Sequence, residues 1–109
     1  MNALQEQWVE ALESGEYKQG QRNLCYEDKY CCLGVACEVM GIEGEEMAGF
    51  VYFKGNNIVL LEFEKLGLRG MRGELASGPY ASLASMNDSG KSFKEIAQFI
   101  RDNEGLVFV

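Results

Sequence analysis

The sequence lacks histidine altogether and has one proline and one tryptophan in 109 residues. Without an imidazole, the chain cannot form a Ser-His-Asp triad, a Cys-His catalytic pair or a mixed Cys/His zinc site. It also lacks an apolar run close to the roughly 20 residues that a membrane-spanning helix needs. Its start, residues 1–8, has neither the basic residues nor the apolar stretch of a secretion signal. These absences predict a cytoplasmic protein that does not act at a membrane.

Positively charged residues are scarce as well: the chain has 10 Lys and Arg residues and 17 Asp and Glu residues, which gives a formal net charge of −7. This charge opposes general binding to nucleic acid. Spread along the chain, it can serve solubility, or it can imitate nucleic-acid charge toward a basic host protein. With 47% hydrophobic residues, the chain can build one core, so we expect residues 1–109 to form a single compact domain.

Three of the four cysteines lie in the apolar segment YCCLGVACE at residues 30–38. Their spacing matches no paired CxxC motif, and the adjacent Cys31 and Cys32 are poor disulfide partners, so we expect buried free thiols, no metal and no cofactor. An alternative is that Cys31 or Cys32 lies at a helix start, where the helix dipole lowers its pKa and makes it a nucleophile. Glu38, the charged residue of this apolar segment, either reaches solvent or lines a polar pocket where its pKa is perturbed.

The hydrophobic pattern and the capping signals predict several helices. Leu4, Trp8 and Leu12 recur at helical spacing before Gly15. Ser92 and Glu95 have the spacing of a capping box at the start of an apolar i, i+3, i+4, i+7 pattern. The predicted helices cover residues 3–13, 32–40, 60–66, 82–88 and 93–103.

Strands are predicted where aromatic and β-branched residues lie beside Gly/Asn turns. Residues 24–26 are expected to pair with a return that begins at Tyr30, and residues 50–53 to form a hairpin with residues 58–60. After Gly105, residues 106–109 read as a terminal strand tied into the sheet.

Together these elements predict an α+β fold. We expect a small, mainly antiparallel sheet of three to five short strands, packed by an N-terminal helix, a buried Cys-rich helix and a C-terminal helix. A purely helical domain is the alternative.

Several segments resemble a family of small proteins encoded by tailed bacteriophages. They are WVEALESGEYKQG at residues 8–20, YCCLGVACEVMG at 30–41, LEFEKLGL at 61–68 and SLASMNDSGKSFKEIAQFI at 82–100. The resemblance implies a phage gene expressed in the bacterial cytoplasm, but it implies no particular reaction. It marks these residues as shared: Trp8, Ala11, Leu12, Gly15, Tyr17, Gln19, Cys31, Cys32, Leu33, Gly34, Asn87, Asp88 and Gly90.

Seven residues are candidates for binding a ligand or partner. Asn87 and Asp88 form either an Asx-type turn or a recognition pair, and polar loop residues can contact a partner or their own backbone. Arginines with nearby tyrosines can hold an anion, although each can equally be an ordinary surface charge. The candidates are Tyr17, Gln19, Arg22, Arg69, Arg72, Asn87 and Asp88.

The resulting functional hypothesis is a noncatalytic phage accessory protein that binds and restrains a host component, either a defence effector or a small nucleotide-type signal. Its expected partner is a host protein or a small anionic ligand, and self-association into a homo-oligomer is compatible with the sequence. One alternative is a small enzyme that uses Cys31, Cys32 or the carboxylate of Glu38. Another is a virion or assembly component.

Overall fold

The computed structural model describes residues 1–21, 25–26, 29–42, 44–47, 50–53 and 62–109. Helices provide most of the regular structure in this part of the chain. They are α1 (Ala3–Ser14), α2 (Cys32–Val39), α3 (residues 62–65), α4 (Leu83–Asp88), α5 (Phe93–Asp102) and α6 (Glu104–Val107).

Side-chain caps fix the start of the two longest helices. At α1, the Asn2 side chain accepts a hydrogen bond from the Gln5 backbone amide while the Gln5 side chain accepts one from Asn2. At α5, Ser92 and Glu95 form the same reciprocal arrangement, as their spacing predicted. Gly15 ends α1 in the left-handed region at φ 77°, which a glycine adopts without steric cost.

Helix α2 is buried on most of its sides. Residues 32–37 are all buried, and only Glu38, near the end of the helix, is exposed. The apolar composition of this segment predicts such a helix, and the prediction is confirmed. Because no polar side is available for solvent, α2 occupies the centre of the molecule and contacts both α1 and α4.

The strands are two to four residues long. Strand β1 (Lys18–Gln19) pairs in parallel with β3 (Lys29–Tyr30), with Lys18 opposite Lys29 and Gln19 opposite Tyr30. Antiparallel pairing connects β3 to β2 (Cys25–Tyr26), β2 to β5 (Phe50–Phe53), and β5 to β4 (Gly44–Met47). The order within the described residues is β1-β3-β2-β5-β4.

The predicted α+β fold class is wrong. The molecule is mainly helical, and the helices pack on one another rather than covering an antiparallel sheet, since α1 contacts α2 and α5, and α4 contacts α2 and α5. The strand pair nearest the helices, β1 with β3, is parallel and only two residues long. Strands this short cannot bury a continuous face, so helical faces form the core instead.

The described core consists of helical residues and the segments that join the helices. Trp8 is fully buried, donates a hydrogen bond from Nε1 to the Cys32 carbonyl at 3.0 Å, and meets the Phe108 ring edge-on at 6.3 Å. The buried apolar residues are Trp8, Val9, Leu12, Cys31, Cys32, Leu33, Val35, Ala36, Cys37, Phe63, Leu66, Leu68, Leu83, Met86, Phe93, Ile96, Ala97, Ile100, Val107 and Phe108.

The predicted terminal strand is also wrong. Residues 104–107 form α6, whose last turn is closed by a hydrogen bond from the Phe108 amide to the Glu104 carbonyl at 2.8 Å. Within this C-terminal segment, the strand-like contact is an isolated antiparallel bridge between Phe108 and Leu68. Burial of Val107 and Phe108 against the helices determines this conformation and overrides the β propensity of the segment.

The predicted hairpin lies partly outside the described residues. Residues 50–53 are a strand as expected, but their described partner is β4 at residues 44–47. The proposed second arm, residues 58–60, and the first two residues of the helix predicted over 60–66 fall outside the description. No helix in the described part of the chain has the length and apolar character needed to cross a membrane.

Candidate binding site

The side chain of Gln19 lies at the centre of a polar junction between the N-terminal and C-terminal parts of the chain. Its Nε2 donates hydrogen bonds to Asn87 Oδ1 at 3.0 Å and to the Lys91 carbonyl at 2.6 Å. Its Oε1 accepts one from the Phe93 amide at 3.1 Å. Because Phe93 is the first residue of α5, Gln19 satisfies one of the amides that a helix start leaves unpaired.

Asn87, near the end of α4, is fully buried and completes the same junction. Its Oδ1 also accepts a hydrogen bond from the backbone amide of Cys32, the first residue of α2, at 3.2 Å. Its Nδ2 donates to the Gly20 carbonyl at 2.7 Å. One amide side chain therefore joins α4, the start of α2 and the end of β1.

The hydrogen bonds of this junction give a structural role to Gln19 and Asn87, two of the predicted site residues. Both amide groups of Gln19 and Asn87 are used inside the molecule, and in the described residues no buried side-chain nitrogen or oxygen lacks a hydrogen-bond partner. The structure brings the two residues together, and it commits their hydrogen bonds to each other and to backbone groups.

Tyr17 lies beside β1 and packs against β3. Its ring meets the ring of Tyr30 at a centroid distance of 5.4 Å and an angle of 85°, a favoured edge-to-face geometry. The Tyr30 hydroxyl lies 3.4 Å from Glu38 Oε1 and donates to it. Both tyrosine rings are half-buried, so part of each ring is used in packing.

Three further candidates from the sequence are Asp88, Arg22 and Arg69, and the structure describes two of them. Asp88 is half-buried at the end of α4. Arg22 lies outside the described residues. The exposed side chain of Arg69 donates hydrogen bonds to the Leu106 carbonyl at 2.5 Å and to the Gly105 carbonyl at 3.3 Å, so it holds the last helix in place.

Residues 69–82, which we call the Arg72 loop, have little regular structure but are held at several points. The Arg72 and Gly73 carbonyls accept hydrogen bonds from the Ala84 and Leu83 amides of α4, at 3.1 and 2.9 Å. The Ala76 amide donates to the Leu106 carbonyl at 3.0 Å. The loop is thus attached to α4 on one side and to α6 on the other.

Glu74 holds the turn at residues 70–73 of the Arg72 loop from within. Its Oε1 accepts a hydrogen bond from the Arg72 amide at 3.1 Å. A Cβ placed on Gly70 would collide with Glu74 Oε2, so the absence of a side chain at Gly70 makes room for the carboxylate. Sequence reasoning missed Glu74, and its only signal was an acidic residue inside a glycine-rich segment.

Among the predicted site residues that the structure describes, Arg72 has an exposed side chain without a partner. Its side chain is exposed, and within the described residues its guanidinium forms no hydrogen bond or ion pair. Its backbone amide and carbonyl are both bonded. The loop therefore presents a guanidinium from a fixed backbone position, and this group can bind a carboxylate or a phosphate through two parallel hydrogen bonds.

Cys31, Cys32 and Cys37 are buried free thiols, as the sequence predicted. Cys31 is 7% exposed, and Cys32 and Cys37 are fully buried. Burial raises the pKa of Cys31, raises that of Cys32 well above its usual value, and raises that of Cys37 to about 12. A thiolate is therefore disfavoured at neutral pH, which argues against a cysteine nucleophile. The side chain of Cys25 is outside the description.

A cluster of charged side chains joins α1 to α5. Arg101 donates two hydrogen bonds to the Glu13 carboxylate, at 2.9 and 2.7 Å, and one to Glu6 at 2.7 Å. The hydrogen bonds from Arg101 lower the pKa of Glu13 and raise that of the guanidinium. All three groups have partners, so the cluster serves helix packing. Among the described residues, no group of acidic or thiol side chains could hold a metal ion.

Comparison with known families adds one match. Residues 1–51 are similar to the family described as Domain of unknown function (DUF8296). This segment contains α1, β1 to β4, α2 and the first residues of β5, whereas Asn87 and the Arg72 loop lie beyond it. No curated protein matches the chain, and no solved structure matches it.

Proposed function

We propose that the protein is a noncatalytic accessory protein that binds and restrains a host component in the cytoplasm of a phage-infected bacterium. The phage source is supported by the sequence resemblance at residues 8–20, 30–41, 61–68 and 82–100. The noncatalytic role is supported by the buried thiols and by the internal bonding of Gln19 and Asn87. The proposed contact surface is the Arg72 loop.

One observation carries this proposal: the Arg72 loop, on a backbone bonded to both α4 and α6, holds an exposed guanidinium that forms no bond to any residue that the structure describes. Holding the loop backbone in place before binding lowers the entropy lost on association. Arginine is also enriched among the residues that contribute most to protein interfaces. The expected contact on the host component is a carboxylate or phosphate group that accepts two hydrogen bonds from Arg72.

The net charge of −7 favours a partner whose remaining surface is basic, because complementary fields accelerate encounter. Within that interface, the positively charged Arg72 contacts a negatively charged group on the otherwise basic partner. This arrangement supports a host protein over a polyanion, which the acidic chain would repel.

The test is a pull-down from infected cells with the full chain as bait, followed by mass spectrometry of proteins and of released small molecules. Arg72→Ala removes the guanidinium, and Lys94→Ala is the control because it removes an equal charge from an exposed position on α5. We expect one stable partner on the wild-type and Lys94→Ala baits and about tenfold less of it on Arg72→Ala.

Two results would contradict the proposal. If the wild-type bait recovers no stable protein or small molecule, the binding function is wrong. If Arg72→Ala and Lys94→Ala recover equal amounts, binding takes place elsewhere and the role of the Arg72 loop is wrong.

A further inference from the structure

The parallel pair of β1 and β3 places two lysines side by side. Lys18 and Lys29 are opposite each other in the register, as are Gln19 and Tyr30. Because side chains alternate between the two faces of a strand, the lysines share one face and the other two residues share the opposite face. Burial agrees, since both lysines are exposed whereas Gln19 and Tyr30 are half-buried.

Neither lysine is neutralised by an ion pair within the described residues. The described ion pairs of basic side chains involve Lys65, Lys91 and Arg101, and Glu16, two positions before Lys18, forms none. Like charges directly opposite each other on neighbouring strands destabilise the pairing. Among the described residues, Lys18 and Lys29 are therefore a cationic pair without an ion-pair partner, in a chain whose net charge is −7.

Gly20 fixes the base of this pair. A Cβ at Gly20 would lie 2.9 Å from Lys29 Cβ, so only a glycine lets the two backbones approach this closely. The Gly20 amide donates to the Tyr30 carbonyl at 2.7 Å, and its carbonyl accepts from Asn87. Both backbone groups of Gly20 are therefore bonded, and Gly20 has no side chain that would crowd the side chain of Lys29.

We propose that this outer face, formed by Lys18, Gly20 and Lys29, binds a phosphate group of a small ligand. Neighbouring strands are about 4.8 Å apart, so two ammonium groups can contact different oxygens of one tetrahedral anion. The net charge of the chain opposes an extended polyanion, which restricts the ligand to a compact one. The site shares no residue with the Arg72 loop.

The test is a titration of the full chain with inorganic phosphate and, separately, with adenosine monophosphate, followed by backbone amide NMR shifts. We expect saturable shifts at residues 18–20 and 29–30. Lys18→Gln and Lys29→Gln should each weaken binding about tenfold, since each removes a charged hydrogen bond. Lys94→Gln is the matched control and should bind like the wild type. Far-UV circular dichroism checks that each variant is folded.

Equal binding by the wild type and both strand variants would overturn the proposal, as would shifts that never saturate. An equal loss in Lys94→Gln would show a general charge effect and would also overturn it. Tighter binding of adenosine monophosphate would identify a nucleotide as the source of the phosphate, and equal binding would identify free phosphate; both support the site. Failure here leaves the Arg72→Ala experiment unaffected, because the two surfaces use different residues.

Discussion

Replacement of Asn87 by alanine is expected to destabilise the fold strongly. Asn87→Ala removes the acceptor of the buried Cys32 amide and the donor to the Gly20 carbonyl. A buried backbone group without a partner costs about 1–3 kcal/mol. Gly20 is only half-buried, so water offsets part of its loss, and we expect a total of about 3 kcal/mol. For a domain of this size, that is a large part of the free energy of unfolding.

The measurement is urea unfolding followed by far-UV circular dichroism. With an m-value of about 1.5 kcal/mol/M, the midpoint should fall by about 2 M. Asn103→Ala is the control, because that half-buried asparagine donates a single side-chain hydrogen bond, to the Phe99 carbonyl at 2.9 Å. It should cost less than about 1 kcal/mol.

A double-mutant cycle with Gln19→Ala tests whether the junction acts as a unit. Gln19 and Asn87 are bonded to each other at 3.0 Å, so the two substitutions should be non-additive by about 1 kcal/mol. A loss no larger than that of Asn103→Ala, or strict additivity in the cycle, would refute the structural role assigned to Asn87.

Three further predictions concern the thiols, the charge cluster and the loop. Burial raises the pKa of Cys37 from 9.0 to about 12, so the stability it contributes is fully present below about pH 9 and is lost as the pH rises toward 12. Urea midpoints at about pH 7 and about pH 10 check this, and pH-independent midpoints would contradict it. Arg101→Ala should lower the urea midpoint more in low salt than in high salt, because its ion pairs are partly exposed; an equal loss in both would exclude an electrostatic cause. Gly73→Ala should cost about 1–2 kcal/mol, since φ is +63° and the new Cβ would lie 3.1 Å from Leu83. Gly105→Ala, where the space is open, should cost nothing.

Local signals explain which parts of the fold were predictable. The capping box of Ser92 and Glu95 and the spacing of Leu4, Trp8 and Leu12 depend on residues three or four apart, and both helices formed as predicted. The apolar composition of residues 32–37 likewise indicated a buried helix.

Long-range contacts explain the failures. The local sequence around Asn87 predicts an Asx-type turn or a recognition residue, but its partners Cys32 and Gly20 are 55 and 67 positions away. Residues 106–109 have β propensity, yet helix α6 forms because Val107 and Phe108 bury against distant helices. The fold class failed for the same reason, since helix-on-helix packing was not visible in any local pattern.

The environment of Trp8 gives the molecule an intrinsic optical reporter. It is the only indole in the chain, it is held by the carbonyl of Cys32, and it meets the ring of Phe108 from the far end of the sequence. Light emitted by this residue will therefore change whenever the first and last segments separate, and the change can be followed without attaching a dye.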